Sequence, residues 1–176
     1  GPATVGGTNS SGTLDLTNGS FYPNALGSTF ALIRGSRIRS SVGGGTFRNE
    51  GELSKSGSET GLVEAGVIFE NVGGTFLVAD GNELDFRGGG TFTGETTLNT
   101  TGSGVVDFNA GTFEFASGAT LAAGGNLRAG GTTSFVDAQN LVLDALDVVG
   151  TLTVPGSLSV AGNASVSGQL NVAGTS

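Results

Sequence analysis

The chain of 176 residues contains no Cys, His, Met or Trp, and only three Pro and one Tyr. Without His or Cys there is no Ser-His-Asp triad, no Cys-His dyad, no zinc or haem ligand set and no disulfide framework. No cofactor is expected, and carboxylates are the side chains left to hold a metal. Cations are scarce as well: six Arg and one Lys stand against fifteen acids, for a formal charge of -8. That balance is the opposite of a free-standing nucleic-acid binder's and is repelled by an anionic membrane surface. No run approaches the roughly eighteen consecutive apolar residues of a membrane span, and no basic-then-apolar signal segment opens the sequence. Gly1-Pro2 stands in place of an initiator methionine and reads as the remnant of a cleaved tag, so the natural protein is expected to extend past both ends.

What is abundant is small. The 34 Gly, 18 Ser and 21 Thr would suit a flexible linker, but Leu, Val, Ile and Phe total 47. That is above the level of about one-fifth below which a chain cannot bury a core. These apolar residues recur instead of clustering, which predicts a folded, repetitive chain.

The clearest repeat is C-terminal. Glycine falls at Gly150, Gly156, Gly162, Gly168 and Gly174, six residues apart each time. Between them lie the pairs Leu152/Val154, Leu158/Val160, Ala164/Val166 and Leu170/Val172, preceded by Leu146/Val148. Residues two apart leave a strand on one face, while the intervening Thr, Ser or Asn points the other way. Glycine at constant phase permits a positive φ or a close backbone approach at each corner. Val142, Ala145, Leu146 and Val149 also fit a helical i, i+3, i+4, i+7 pattern. The hexad phase runs straight through that window, so strands are preferred.

Upstream the repeat is longer. Phe47-Arg48-Asn49-Glu50-Gly51 recurs twenty-two residues later as Phe69-Glu70-Asn71-Val72-Gly73, and Phe86 and Phe108 are again twenty-two apart. Phe108-Asn109-Ala110-Gly111 reads as a degenerate third copy. Gly-Thr-Phe begins at Gly45, Gly74, Gly90 and Gly111. Periods near twenty belong to solenoids whose coils stack in parallel at about 4.8 Å. Stacked phenylalanines are expected inside. Asn49, Asn71 and Asn109 are read either as a ladder at a corner or as ordinary turn residues.

The prediction is an all-β, single-chain parallel β-solenoid of about 20–22 residues per coil, right-handed by the usual crossover rule. Residues 1–42 form irregular first coils, with Phe21-Tyr22-Pro23-Asn24 interrupting the pattern. Residues 43–140 form regular coils, and residues 141–176 the hexad strands, in one continuous solenoid. Ser54-Lys55-Ser56-Gly57 reads as a turn.

The Phe-x-Asn-x-Gly and Gly-Thr-Phe phrases, with the run from Gly150 to Gly162, resemble the β-helical stalks of large secreted bacterial surface proteins. Autotransporter passengers and filamentous-haemagglutinin-type adhesins are the examples. The hexads are also similar to segments of bacteriophage tail fibres. The resemblance spans most of residues 43–174. It implies an extracellular or cell-surface location and a role in extending, presenting or adhering, without catalysis. The implied partners are neighbouring coils of the parent chain, a host-surface or glycan ligand, and identical subunits in a homotrimer.

Two clusters are candidates for chemistry. Arg34, Arg37 and Arg39 lie within six positions, and Arg37 and Arg39 share a strand face. Their guanidinium forks suit a sulfate, uronate or phosphate, although a solvated face balancing nearby acids is the plainer reading. Asp80, Glu83 and Asp85 are the acids that a polysaccharide lyase-like β-helix or a Ca²⁺ site would use. Glu83 and Asp85 fall on one face, which is also common on solvated strands. An ice-binding face needs a threonine ladder, which the outward hexad positions lack: Ser157/Ser159, Asn163/Ser165 and Gln169/Asn171 follow Thr151/Thr153.

Overall fold

The computed structural model describes residues 3–5, 11–122 and 124–174. Among them there is no helix, and 24 short strands follow one another around a prism. Every third strand falls in the same sheet. The first sheet takes Ala3–Val5, Thr29–Ile33, Glu52–Ser56, Thr75–Val78, Glu95–Thr100 and Thr120–Leu121. The second runs in eight strands from Thr13–Asp15 to Ala164–Val166, and the third in eight from Ser20–Asn24 to Gln169–Val172. Neighbouring strands pair in parallel, so the chain is a parallel β-solenoid of about seven turns.

The alternation that predicts strands also fills the interior. One contiguous core runs from Leu16 to Val154. Ten of the eleven Phe lie in it, Phe21 alone being exposed, at 56%. Parallel pairing puts like on like: Tyr22 stacks on Phe47 at 5.5 Å between ring centroids, and Phe47 on Phe69 at 6.2 Å. Phe115 stacks on Phe135 at 4.2 Å. Beyond Phe135 the core is aliphatic, with Leu141, Leu143, Leu146, Val148, Leu152 and Val154 all buried.

The coil length is not constant. Tyr22 pairs with Phe47, 25 residues on, and Phe47 with Phe69, 22 on. Phe115 pairs with Phe135 across 20 residues, Leu127 with Leu146 across 19, and Leu152 with Leu170 across 18. The predicted 20–22 residues holds for part of the middle, as from Phe76 to Leu98, while Thr96 pairs with Leu121 across 25. A phenyl ring reaches farther into the lumen than a Leu or Val side chain, so coils that enclose rings need a longer perimeter at the same packing density.

The six-residue glycines mark corners of an 18-residue triangle, three hexads to a coil. None of Gly150, Gly156, Gly162 or Gly168 has positive φ. Close approach is what requires them: a Cβ on Gly150 would land on the carbonyl oxygens of Gly130 and Gly131, and one on Gly168 on those of Val149 and Gly150. Gly174, by contrast, has open space around it. The window that also fits a helix forms the strands Asn140–Leu143 and Ala145–Val148.

Three sequence readings are corrected. Phe21-Tyr22-Pro23-Asn24 is no interruption: it is the strand Ser20–Asn24, paired residue for residue with Gly45–Asn49. That strand is the edge of its sheet, where proline's missing N–H costs no ladder bond. Phe108-Asn109 is not a third copy of the Phe-x-Asn phrase, because Phe86 and Phe108 lie in the second sheet, whereas Phe47 and Phe69 lie in the third. Lys55, read as part of a turn, lies in the strand Glu52–Ser56 and is 1% exposed. Gly1-Pro2 lies outside the described residues.

The first sheet breaks after Thr120–Leu121, and its side of the prism resumes as the two-stranded pair Asn140–Leu143 and Ser157–Val160. Side chains bridge the break. Leu121 N–H donates to Gln139 Oε1 at 3.0 Å, while Gly118 N–H and Ser117 Oγ donate to Asp137 Oδ2.

Candidate functional site

The outer face of the second sheet carries most of the ion pairs. Alternation sends Leu84 and Phe86 inward and leaves Glu83, Asp85 and Arg87 outward. Stacking then sets charges from successive coils side by side. Arg39 pairs with Asp15 at 3.0 Å and Arg37 with Glu64 at 2.9 Å. Arg87 reaches Asp85 at 2.7 Å, and Arg128 lies 3.4 Å from both Asp107 and Asp147. Arg34 stands off this face with φ +57°, and its guanidinium is 3.9 Å from Glu59. The three arginines singled out in the sequence therefore do not converge on one point. Each faces its own carboxylate, which is the charge-balancing reading of the cluster.

The three candidate acids separate as well. Asp80 sits on an exposed turn, where its Oδ1 accepts from Ser103 N–H at 2.8 Å and Ser103 Oγ at 2.9 Å. Those bonds, the backbone one foremost, hold its carboxyl below the ordinary range. Asp80 staples one turn to the next. Glu83 and Asp85 share the strand Glu83–Phe86. Among the described residues no three His, Cys, Asp or Glu gather as metal ligands.

Asp85 instead meets an acid that the sequence reading missed. Its parallel partner is Asp107, and both are buried, at 1% and 0% exposure. Asp85 Oδ2 accepts from Arg87 Nε at 2.8 Å and from Asn109 Nδ2 at 3.2 Å. Asp85 Oδ1 and both oxygens of Asp107 are buried without a hydrogen-bond partner. Burial pushes the Asp107 carboxyl up to about 7, and the adjacent Asp85 adds to the rise while Arg128 opposes it. The signal was present in the sequence: Asp85 and Asp107 are twenty-two apart, each just before a phenylalanine of the repeat.

Other buried polar side chains tie successive coils together. Asn24, Asn49, Asn71 and Thr96 form a ladder down one corner, with bonds of 2.7, 2.8 and 2.8 Å between successive side chains. The expected third rung, Asn109, is absent from it and bonds Asp85 instead. Gly74 makes room for this ladder: a Cβ there would meet Asn49 Nδ2 and lie 2.7 Å from Asn71 Oδ1. Lys55 occupies a core column between Leu32 and Val78. Its ammonium donates to Ser56 O, Gly57 O and Asn82 Oδ1 at 2.8, 3.3 and 3.0 Å. Burial lowers its pKa, and three acceptors match its three protons. That is a satisfied structural lysine that ties the loop at residues 57–60 to the next coil.

Concavities on the outside are shallow. One of about 380 Å³ lies where Gly88, Gly89 and Gly90 leave no side chains, and is lined also by Ile68, Thr91, Thr112 and Glu114. No protein-family model matches the chain, and no significant match is found to a curated protein or a solved structure.

Proposed function

We propose that this chain is a structural or adhesive β-solenoid segment of a large secreted or cell-surface microbial protein, acting as a stalk or presenting scaffold without catalysis. The observation that carries the reading is the single core running from Leu16 to Val154, enclosed on three sides by strands whose coils template one another. Such an object is stiff along its axis, and each turn adds length without a new fold. The charged face fits this role: its arginines are matched to acids and keep the surface soluble without an open cationic site. Val166 and Val172 occupy the phase of the buried Val148 and Val154, yet they are 49% and 42% exposed. Further hexad coils of the parent chain, or identical subunits in a trimer, are the partners that suit this edge.

A second reading is a receptor- or glycan-binding module of a fibre-like protein, favoured by the glycine-floored cleft with Thr91, Thr112 and Glu114 at its rim. The test is sedimentation velocity and small-angle scattering, with a glycan array on the same sample. An elongated monomer or trimer silent on the array supports the stalk. Specific glycan binding abolished by Glu114→Arg moves the second reading ahead. Turnover of a polyuronide overturns the absence of catalysis.

A further inference from the structure

The seam between the strands Glu83–Phe86 and Val105–Phe108 poses a hydrogen-bonding problem that fixed charges do not solve. Parallel pairing places Asp85 and Asp107 directly opposite each other on the outer face, about 4.8 Å apart at the backbone. Both side chains are shielded from water. Asp85 Oδ2 takes every donor within reach, from Arg87 and Asn109, and leaves Oδ1 with none. Asp107 has no donor on either oxygen, only the Arg128 guanidinium at 3.4 Å, and Arg128 is drawn equally toward Asp147. Two buried like charges one strand apart repel, and three buried acceptor oxygens go unpaired. One proton removes the repulsion and pairs two of the three oxygens.

We propose that Asp85 and Asp107 form an acid pair that holds a single shared proton across the seam, so that this seam is tight while the proton is bound and loosens when it is lost. The proton sits on Asp107, and its O–H donates to the orphaned Asp85 Oδ1. On loss it passes to water and leaves two carboxylates face to face. The groups facing Asp107 are Glu83, Asp85 and Arg87 from the preceding coil, and Arg128 and Asp147 from the two that follow. Three carboxylates against two guanidiniums leave the surroundings net negative, which favours the neutral acid. The pair is too buried to meet a substrate, so its consequence is mechanical.

The sign of the effect is fixed. Below the ordinary value of 3.8, Asp107 is protonated folded and unfolded alike; between 3.8 and about 7 the unfolded chain ionises and the folded one does not. Stability contributed by this group is therefore complete in acid and falls as pH rises to about 7, then levels. Asp15 and Asp80, whose carboxyls are held below 3.8, change stability in the opposite sense only at lower pH.

The test is carboxyl-carbon NMR of the folded protein with labelled aspartate, compared with Asp107→Asn and Asp85→Asn. One aspartate resonance is expected to titrate near 7, to vanish in Asp107→Asn and to move to lower pH in Asp85→Asn. In parallel, Asp107→Asn raises the folding equilibrium constant near pH 8, by at most roughly 1000-fold at tenfold per pKa unit, and leaves it unchanged below the ordinary carboxyl range. Asp147→Asn also moves the midpoint to lower pH, but by less than Asp85→Asn does. Aspartates that all titrate in the ordinary range overturn the proposal. So does an Asp107 midpoint unmoved in Asp85→Asn, which would make burial alone responsible. If Asp107→Asn fails to fold, the wild-type titration and the Asp85→Asn shift decide it.

Discussion

The aromatic coils around Phe47 to Phe135 and the hexad coils after residue 145 solve one problem at two sizes. Both must close three parallel strands around a dry lumen. The aromatic coils spend about 22 residues on it and fill the space with rings in contact, as where Phe108 touches Phe86, Phe92, Phe113 and Phe115. The hexad coils use 18 and offer one aliphatic pair per side, Leu-x-Val at most of them and Ala164/Val166 at one. The wider lumen tolerates irregular guests, including a buried lysine, an asparagine ladder and corner loops of variable length. The narrow one leaves no room for a guest, and its glycines are dictated by backbone against backbone. Perimeter follows core side-chain volume, and tolerance follows perimeter.

The largest effect should come from removing a ring. Phe108→Ala is expected to cost about 3–5 kcal/mol, since the cavity is lined by rings fixed in neighbouring coils. Leu152→Ala in a hexad coil should fall nearer the low end of about 2–5 kcal/mol. Chemical denaturation of both variants checks the order, and equal losses would break the comparison. At the corners, Gly150→Ala overpacks the backbone and should cost about 1–3 kcal/mol or more, showing first as lost amide protection in the last turn. Gly118→Ala, with φ +79° but open space, should cost only the left-handed penalty of about 1–2 kcal/mol.

Next comes the ladder. Asn49→Ala leaves Asn71 Oδ1 and one of the two Asn24 Nδ2 protons without a partner, the other still reaching Glu52 O, a loss of about 1–3 kcal/mol by thermal unfolding, and Gly74→Ala should reproduce part of it by displacing the same amides. The smallest effect belongs to the exposed pair of Arg39 and Asp15, 45% and 28% accessible. Arg39→Ala should cost about 0.2–1 kcal/mol and vanish in high salt.

Much of this was legible in one dimension. Leu146/Val148 and Leu152/Val154 are buried as their alternation demands, whereas the later pairs are only partly covered, and the hexad spacing gives the 18-residue triangle directly. The Phe47/Asn49 and Phe69/Asn71 phrases lie in register as their spacing predicts. Tyr22-Pro23-Asn24 escaped because Pro argues against a strand unless the strand is known to be an edge. Asn109 misled because a spacing of twenty-two says which residues stack and not which side of the prism they are on. The Gly-Thr-Phe phrase shows the same ambiguity: the copy at Thr75 enters the first sheet and the others the third. A phrase of that kind encodes a corner followed by a strand, wherever the corner falls. The spacing of Asp85 and Asp107 shows that they stack, but not that they are buried, because an outward acid on a strand looks solvated until its neighbours are placed.

The sequence by itself determined that the chain is all-β, coiled, closed by glycine corners and filled by stacked apolar columns, because period-two alternation and a fixed corner period are local and repeat with the chain. Only the tertiary structure decided which charges oppose each other, which oxygens go without donors and why the coils narrow. Those depend on register between strands some twenty residues apart, which changes each time a corner gains or loses a residue.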